Sequence, residues 1–567
     1  MIFRSLILSI FYILIGNSIP YSIKESIEHQ FGYQSVHLEK PLVNSPCKYL
    51  FIEFLNEYDR EQYSKCVYRV ELLKEKDSKT VDEAREFYFQ HYGAIPTYFN
   101  NWFEFAKERK CRINRYDMLQ EQTFKFKNVQ HANFKEDLES LITFFNSTQL
   151  TKMVSKDGKV KISVSNVRAA SYVSIFERLQ QFLPNIEFVV NTHAQPVIMA
   201  NSNIKELSKF NQHRNGVGNA LLVLKDKLAT TTKVLSLAQI HKLSCTQNTH
   251  RESLQQGYGL FIEPPMEYQT FKTLPILSWG GYPGCTKDIL IPSVYHYEFD
   301  NLTLLKNKYP EWSTKKQTLI WRGTTSGSPF IESDNYLFHP DHVCIDNCEP
   351  DQLKVVSAGN YAKYIWFWSH RQRLVNHCNE YPDLCDVNFV DAVEMNIAFR
   401  KQVFRYFKIV KKINFEDFFN HKFILDVDGN GYSGRFLKLL RGNSLIFSAH
   451  YAIDWFNDIV IPFYHYIPID MSYAEININA LPQDFQEELI EKRKGWNRFS
   501  HERYDDLNSP LGYNDMAAKI LYFQKNDEHA KLIADRGQAF AEEYLREEDM
   551  DCYIYRALIE MYEIINQ

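Results

Sequence analysis

The segment Phe423–Leu440, "FILDVDGNGYSGRFLKLL", joins a predicted strand to a predicted helix through a glycine-rich turn. The apolar run that ends at Val427 predicts a buried strand, and the run that begins at Phe436 predicts a helix. Unpaired backbone N–H groups and the helix dipole converge at such a turn, which is therefore typical of anion-binding sites. The alternative is a tight strand-to-helix connection that carries Arg435 on the surface.

Arg435, at the start of the predicted helix, favours the anion interpretation. A cation in the first turn of a helix is unfavourable for the helix dipole, so its presence is easier to explain if it meets a diphosphate. A second junction also places an arginine and a glycine at the end of a predicted strand. In Thr318–Pro329, "TLIWRGTTSGSP", an apolar run ends at Arg322 and Gly323 and continues into hydroxyl residues. The alternative is a strand that reaches the surface and turns, but the two junctions together favour phosphate binding.

Strands and helices alternate along the rest of the chain. This alternation predicts a parallel α/β architecture with helices on both faces of each sheet. Two such stretches, divided near residues 270–300, indicate two α/β domains that face each other across a cleft. Ligands of such sheets bind beyond the carboxyl ends of the strands, where both junctions lie. Predicted strands lie at 159–165, 185–191, 274–279, 318–323, 421–429, 444–449 and 464–469, and predicted helices at 173–183, 362–378, 434–443 and from Tyr513 onward.

The composition is that of a folded, globular protein. Of the 567 residues, 45% are hydrophobic and 15% are aromatic. This length predicts at least two domains with large cores. The formal net charge of −5 argues against a generally basic nucleic-acid-binding protein, although a local basic groove stays open.

The N-terminus has the pattern of a secretory signal peptide. Residues 1–18, "MIFRSLILSIFYILIGNS", combine the early cation Arg4, an apolar run and a small-x-small cleavage pattern. An uncleaved membrane anchor is the alternative, but the run is shorter than the roughly twenty residues that span a bilayer. The remainder is expected in the lumen of the endoplasmic reticulum or Golgi, or secreted if the signal is cleaved. Sequons for N-glycosylation at Asn146 and Asn301 fit this compartment.

The chain has ten cysteines, some of them closely spaced. In an oxidising lumen, Cys344, Cys348, Cys378 and Cys385 are expected to form disulfides, with the connectivity left open. The alternative is a zinc site built from these four or from His377. Neither closely spaced pair has the usual zinc-ribbon spacing, so we favour disulfides.

Asp426 and Asp428 also invite a metal interpretation. Two carboxylates at this spacing in a strand point the same way and could bridge a divalent ion. The alternative is structural, because an aspartate before a glycine-rich turn can cap backbone N–H groups. We favour the structural role.

Several motifs occur in an order that resembles a known family. They are "LIWRGTTSG" (319–327), "WSHRQRLVNH" (368–377), "DGNGYSGRFLKLLRGNSLIF" (428–447) and "DWFNDIVIPFYHYIP" (454–468), preceded by "FYFQHYGAIPTYFNNWFEFAKE" (87–108) and "LPILSWGGYPGCTKDILIPS" (274–293). The chain resembles glycosyltransferase family 90, which includes fungal capsule-associated glycosyltransferases and animal protein O-glucosyltransferases. The resemblance runs from about residue 80 to the C-terminus.

The resemblance implies a GT-B-like α/β fold, with two Rossmann-like domains facing across a cleft and helical additions at both ends. It implies a signal segment at 1–18, a stem at 19–80, an acceptor-side domain at 81–290 and a UDP-sugar-binding domain at 291–567. It also implies inverting transfer from a UDP-sugar, with UDP-xylose favoured, to a glycan, polysaccharide or glycoprotein. Protein O-glucosylation with UDP-glucose is the alternative. No nucleic acid, no tightly bound cofactor and no required divalent metal are expected.

By position, the resemblance assigns the donor diphosphate to the two glycine-containing junctions. Negative charge develops on the β-phosphate as the glycosidic bond breaks, and fixed cations and N–H dipoles stabilise it. The implied donor-binding residues are Ser278, Arg322, Gly323, Thr324, Asn430, Gly431, Tyr432, Ser433, Gly434 and Arg435.

The general base departs from the family pattern. In the resembled glucosyltransferases, an aspartate follows the strand that matches 186–191, but here the matching position is Ala194, which cannot take a proton. His193 is the first candidate, since its ordinary pKa lies near lumenal pH, although it would need local rearrangement to face the same way. Asp288 is the second candidate, with a contact to a sugar hydroxyl or a capping role also open. A member with lost or altered activity is the remaining alternative.

The predicted helix at 362–378 carries His370, Arg371 and Arg373. We interpret these arginines as structural, pairing with acidic neighbours. A role in the site is the alternative.

Overall fold

The structure is a computed structural model, and it describes part of the chain. The described residues are 119, 122–123, 126, 134–144, 150–163, 167–194, 196, 274–281, 286–297, 309–327, 369–393, 395, 397–457, 459–460, 465–469, 471, 483–492, 513 and 515–566. The expected signal segment and stem, both sequons, Cys344 and Cys348 lie outside these residues.

The first sheet has five strands in the spatial order β2-β1-β3-β4-β5. β1 pairs antiparallel with both β2 and β3, whereas β3, β4 and β5 run parallel. The expectation of a parallel architecture is therefore wrong for half of this sheet. The reason is a tight turn at Asp157 and Gly158, both with positive φ, which reverses the chain into a hairpin. The strands are β1 (Leu150–Lys156), β2 (Lys159–Ile162), β3 (Ile186–Asn191), β4 (Leu277–Ser278) and β5 (Ile289–Leu290).

The second sheet is parallel throughout, in the order β10-β9-β8-β6-β7. Its strands are β6 (Lys316–Thr324), β7 (Cys385–Asp391), β8 (His421–Val427), β9 (Leu445–Ala449) and β10 (Ile467–Pro468). Every residue of β8 is buried, as expected for a central strand covered on both faces. Because the strands are parallel, the carboxyl ends of the neighbours β6 and β8 meet at one edge.

Helices cover both sheets. They are α1 (Phe134–Phe144), α2 (Val167–Ala170), α3 (Tyr172–Leu179), α4 (His370–Glu380), α5 (Ile397–Tyr406), α6 (Phe436–Leu440), α7 (Gln483–Lys492), α8 (Met516–Lys525), α9 (Asp527–Tyr544) and α10 (Glu547–Ile565). None of the helices in the described part of the chain is long and apolar enough to cross a membrane.

The C-terminal helix α10 contacts elements of both sheets. Arg178 in α3 donates to both carboxylate oxygens of Asp551 in α10, at 2.8 and 2.9 Å. Tyr553 in α10 packs on Trp455, which follows β9, with ring centroids 4.9 Å apart. Buried residues of both sheets and of α10 belong to one continuous hydrophobic core. The helix therefore ties the two sheets together.

The described cysteines correct one sequence-based prediction. Cys378 in α4 and Cys385 in β7 are both buried and free, so the disulfide expectation is wrong for them. Burial, together with the hydrogen bond from Cys385, raises the pKa of the Cys378 thiol well above its ordinary value. Cys552 in α10 is disulfide-bonded, and its partner lies outside the described residues.

Gly537, within α9, marks a close approach of that helix to the segment before β10. A Cβ atom at this position would lie 2.5 Å from the backbone oxygen of His465. Helix propensity alone predicts that alanine would stabilise α9 by about 1 kcal/mol. Because a backbone oxygen cannot move cheaply, we expect Gly537→Ala instead to lower the free energy of unfolding by about 1–3 kcal/mol.

Urea denaturation would measure this effect. Gly434→Ala is the matched control, since its Cβ would make only ordinary contact with Tyr295 at 3.5 Å. Equal stabilities of the two variants would contradict the close approach of Gly537.

Candidate functional site

Two loops touch each other at the carboxyl edge of the second sheet. One follows β6 and the other follows β8. The Gly327 N–H donates to the side-chain oxygen of Asn430. Gly327 has φ +87°, and a Cβ atom there would overlap the backbone oxygen of Gly429. The junction therefore requires glycine at position 327.

The first turn of α4 holds both loops. The Arg371 guanidinium donates to the backbone oxygen of Asp428 at 2.9 Å, to that of Thr324 at 2.8 Å and to the Ser326 hydroxyl at 2.7 Å. A ring nitrogen of His370 lies 2.8 Å from the same Asp428 oxygen. Arg371 is thus a clamp between the loops.

Both arginines of α4 make contacts within the fold. Arg371 and Arg373 are both buried. Arg373 donates to the backbone oxygen of Met471 at 2.9 Å, and its guanidinium lies 5.3 Å from the centre of the Tyr513 ring. These contacts of Arg371 and Arg373 are made to backbone oxygens, a hydroxyl and a ring, which fits a structural role. The expected pairing with acidic neighbours stays a prediction.

Arg435 lies directly before α6 and remains partly exposed. Its side chain is 31% exposed, and one guanidinium nitrogen lies 3.4 Å from a carboxylate oxygen of Asp426. Another donates to the backbone oxygen of Arg322 at 2.9 Å. Since α6 has only five residues, its dipole is small, and the cationic character of the edge rests on the arginine itself.

The structure does not bring the Arg322 guanidinium to the loops. The guanidinium folds back along the sheet and donates to the carboxylate of Asp386 at 2.7 Å and to its backbone oxygen at 2.6 Å. Burial raises the pKa of Asp386, but the hydrogen bond and charge of Arg322 outweigh it and hold the pKa below its ordinary value. A phosphate contact through the Arg322 side chain stays a prediction.

Asp426 and Asp428 have separate structural partners. Asp426 pairs with His450 at 3.0 Å as well as with Arg435. Asp428 accepts hydrogen bonds from the backbone N–H groups of Tyr451 at 2.5 Å and Ala452 at 2.9 Å, which is the capping role favoured from the sequence. Within the described ranges, no group of three or more His, Cys, Asp or Glu residues could hold a metal ion. That the site needs no divalent metal stays a prediction.

Asp428 should make stability depend on pH. Burial raises its pKa from 3.8 to about 6. The folded state therefore binds this proton more tightly than the unfolded chain does. The protonated carboxyl stabilises the fold below about pH 4, and this contribution is lost as the pH rises through about 6. The full loss is about 3 kcal/mol.

Urea unfolding of the wild type and Asp428→Asn between pH 4 and 7 would measure this contribution. The stability of the wild type relative to the variant should fall across this range. A difference that stays constant with pH would contradict the raised pKa of Asp428.

Other donor-binding candidates contribute to the packing of the two loops. Tyr432 is buried, and its ring lies 5.9 Å from that of His296, which follows β5. A Cβ atom at Gly280 would lie 2.9 Å from Tyr432, so the two sheets meet closely here.

The other candidates make contacts within their own loops. The Gly431 backbone oxygen accepts from Gly429 at 3.2 Å, and the Ser433 hydroxyl accepts from the Arg435 N–H at 3.4 Å. Gly323 and Thr324 end β6, where a Cβ at Gly323 would overlap the Trp321 ring.

Ser278 and Asp288 come together in the first sheet. The Ser278 hydroxyl donates to the Asp288 carboxylate at 2.5 Å and accepts from the Asn191 amide at 3.2 Å. The exposed fraction is 0% for Ser278 and 3% for Asp288. Asp288 is thus held in a buried network of side chains, and its capping role, a contact with a sugar and a proton-transfer role all stay predictions.

His193 lies just beyond the carboxyl end of β3. Its backbone N–H donates to the side-chain oxygen of Asn191 at 3.0 Å. Burial, and then the positive charge of Arg168, lower the pKa of the His193 ring. A ring with a lowered pKa is neutral at neutral pH and can accept a proton. The adjacent Ala194 packs against the main hydrophobic core.

The sequence did not predict the roles of three residues in this region. Arg371 clamps the two loops together, His450 pairs with Asp426, and Asp386 pairs with Arg322. Each lies far along the chain from the residue that it holds. The Arg371–Thr324 contact, for example, spans 47 residues. A sequence signal existed only for Arg371, which stands in a motif shared with the resembled family.

The sequence model of glycosyl transferase family 90 matches residues 367–483. The predicted resemblance to this family is confirmed. The matched segment includes α4, β8, the loop with Arg435, and His450 beyond β9. It therefore covers one side of the loop junction and the clamp that holds it.

Curated relatives are similar over part of the chain. Protein O-glucosyltransferase 2 of Danio rerio is 28% identical over 37% of this chain and 36% of its own length. Human protein O-glucosyltransferase 3 is 22% identical over 52% of this chain and 44% of its own length. O-glucosyltransferase rumi of Drosophila melanogaster is 28% identical over 27% of this chain and 28% of its own length. The chain thus spans less than half the length of each of these relatives.

Proposed function

We propose that the chain is an inverting glycosyltransferase that transfers a sugar from a UDP-sugar to a glycan, polysaccharide or glycoprotein acceptor. The observation that carries this proposal is the partly exposed Arg435 beside two glycine-containing loops at the carboxyl edge of a parallel sheet. The family match over the same segment supports it. We also propose the GT-B arrangement, in which the second sheet belongs to the donor-binding domain and the first sheet to the acceptor-side domain.

The chemistry follows from the charges at this edge. As the bond between the sugar and UDP breaks, negative charge accumulates on the β-phosphate. Arg435 would donate to those oxygens, and the loop from Gly429 to Gly431 lets backbone approach them closely. The acceptor hydroxyl would attack the anomeric carbon from the opposite side, so its proton must pass to a base on the acceptor side.

His193 is the base that we propose. Its lowered pKa keeps the ring neutral and able to accept the proton of the acceptor hydroxyl. Asp288 is less suited, because its carboxylate is buried and already accepts from Ser278. His193→Gln, which preserves the size and polarity of the side chain, is therefore expected to remove transfer while UDP binding persists.

Two alternatives have their own support. The relatives are named O-glucosyltransferases, which favours protein O-glucosylation with UDP-glucose over the xylosyl transfer that the fungal resemblance suggests. Ala194, in place of the family's base, favours a catalytically silent protein that binds UDP-sugars or glycans. The Cys552 disulfide supports the secretory pathway as the compartment, whether the N-terminus is cleaved or retained as an anchor.

A donor screen tests these alternatives. The full chain, produced through a secretory host, would be incubated separately with UDP-xylose, UDP-glucose, UDP-galactose, UDP-glucuronate and GDP-mannose. Released nucleotide would be measured with and without a broad mixture of glycan and glycoprotein acceptors. Release stimulated by an acceptor with one UDP-sugar would support the transferase and identify its donor. UDP binding without any release would favour the silent protein, and absence of both would overturn the proposed site.

A further inference from the structure

Asp426 and His450 form a buried pair behind the arginine of the candidate site. Asp426 is the penultimate residue of β8, and its strand partner in β9 is Ser448. His450 follows β9 directly, so the parallel pairing brings its ring beside the carboxylate. Asp426 is 0% exposed and His450 is 7% exposed. Solvent therefore screens neither residue.

Each oxygen of Asp426 faces a different basic side chain. A ring nitrogen of His450, Nε2, lies 3.0 Å from Oδ2, and the other ring nitrogen, Nδ1, lies 2.9 Å from the Ser448 hydroxyl. The Arg435 guanidinium lies 3.4 Å from Oδ1. No hydrogen bond to Oδ1 is present among the residues that the structure describes. Arg435 is therefore the charge partner on that side.

A buried carboxylate needs such a partner. Removal of an ion from water is unfavourable, and a well-placed opposite charge offsets this cost. Burial raises the pKa of Asp426, but the hydrogen bond and charge of His450, the charge of Arg435 and the Ser433 hydroxyl together outweigh this effect and lower the pKa below 3.8. Asp426 is therefore ionised, and its charge attracts the Arg435 guanidinium to one place.

The second contact of Arg435 completes the restraint. Its NH1 donates to the backbone oxygen of Arg322 at the end of β6, while its NH2 faces Asp426 in β8. A guanidinium held at two nitrogens by two neighbouring strands keeps its remaining N–H groups in a fixed direction. An unrestrained arginine would instead lose side-chain entropy when it binds a phosphate.

We propose that Asp426, held by His450, is a positioning residue for the diphosphate-binding arginine Arg435. In this role Asp426 acts through Arg435 and not by its own contact with the phosphate. It acts by keeping the guanidinium aimed at the place where the β-phosphate would lie. This inference rests on the proposed UDP-sugar site and adds to it a supporting pair that lies within the sheet.

The test compares two ligands that differ only in the phosphates. Binding of UDP and of uridine to the full chain would be measured by titration calorimetry. The proteins compared are the wild type, Asp426→Asn, His450→Gln, Arg435→Ala and the double variant Asp426→Asn/Arg435→Ala. Asp426→Asn should weaken UDP binding about 10-fold and uridine binding less than about twofold, because only the phosphates meet Arg435. In the Arg435→Ala background, Asp426→Asn should cause no further loss of UDP affinity.

A matched control separates positioning from general destabilisation. Asp515→Asn breaks another buried ion pair. Asp515 lies directly before α8, and its partner Lys519, at 2.5 Å, lies within that helix. It should leave UDP affinity unchanged even if it lowers the melting temperature. His450→Gln keeps a hydrogen-bond donor near Asp426 and provides a second test if Asp426→Asn does not fold. It should weaken UDP binding about threefold.

The possible results are distinct. Equal losses for UDP and uridine, or an unchanged UDP affinity in Asp426→Asn, would overturn the positioning role. A further loss in the double variant would also overturn it, since Asp426 would then act independently of Arg435. If the wild type itself binds no UDP, the proposed function fails, and the positioning role fails with it.

Discussion

Arg435→Ala is expected to lower UDP-sugar turnover by about 100-fold or more. The guanidinium is a cation that the structure leaves partly exposed beside the loop junction, with a 31% exposed side chain. The Arg322 guanidinium cannot replace it without breaking the hydrogen bonds to Asp386. The loss should appear mainly in kcat, because charge on the leaving phosphate develops fully only in the transition state.

Initial rates at several donor concentrations would separate kcat from KM. Arg435→Lys should recover only part of the loss, since an ammonium lacks the planar fork that contacts two phosphate oxygens at once. Arg400→Ala is the matched control: it removes an arginine with a 48% exposed side chain, paired to Asp391 at the end of β7. A wild-type rate for Arg435→Ala would contradict the assignment of this edge as the donor site.

Arg322→Ala distinguishes two roles for the other predicted arginine. If the side chain serves the fold, as its contacts with Asp386 indicate, the variant should lose stability while UDP affinity in the folded fraction persists. If the guanidinium leaves Asp386 and turns towards the donor, UDP affinity should fall about 10-fold or more. Titration calorimetry and thermal melting on the same sample would decide between the two roles.

The strand-turn-helix unit around Arg435 could be predicted because its signals are local. The apolar run, the glycines and the next apolar run are contiguous, and β8 was predicted to within two residues of its observed end. The burial of residues 423–425 follows from their unbroken apolar run, whereas the burial of the polar residues His421, Lys422 and Asp426 in the same strand does not. Local sequence therefore locates the loop and the arginine that follows it.

The direction of the side chains could not be predicted in the same way. Arg322 turns back because Asp386, 64 residues later in the chain, lies on the neighbouring strand β7. The antiparallel half of the first sheet depends on a two-residue turn at Asp157 and Gly158, which a search for alternating strands and helices passes over. Such contacts arise from tertiary pairing, and no periodicity in a single segment reports them.

Gly327→Ala is expected to disrupt the junction on which the site depends. Two costs combine at this position. The positive φ of +87° disfavours any side chain by about 1–2 kcal/mol. The new Cβ would also overlap the backbone oxygen of Gly429, so the two loops would have to separate. Separation would break the Gly327–Asn430 hydrogen bond and move the backbone around Arg435.

We therefore expect Gly327→Ala to weaken UDP binding by more than about 10-fold and to lower the melting temperature. Gly158→Ala is the matched control, because Gly158 has φ +71° and nothing lies within 4 Å of its Cβ position. The control has the same kind of backbone strain without the overlap, so it should lose about 1 kcal/mol of stability and no UDP affinity. If both variants bind UDP as the wild type does, the contact between the loops does not shape the donor site. If only Gly327→Ala fails to bind, the close approach of the loops is part of the site itself.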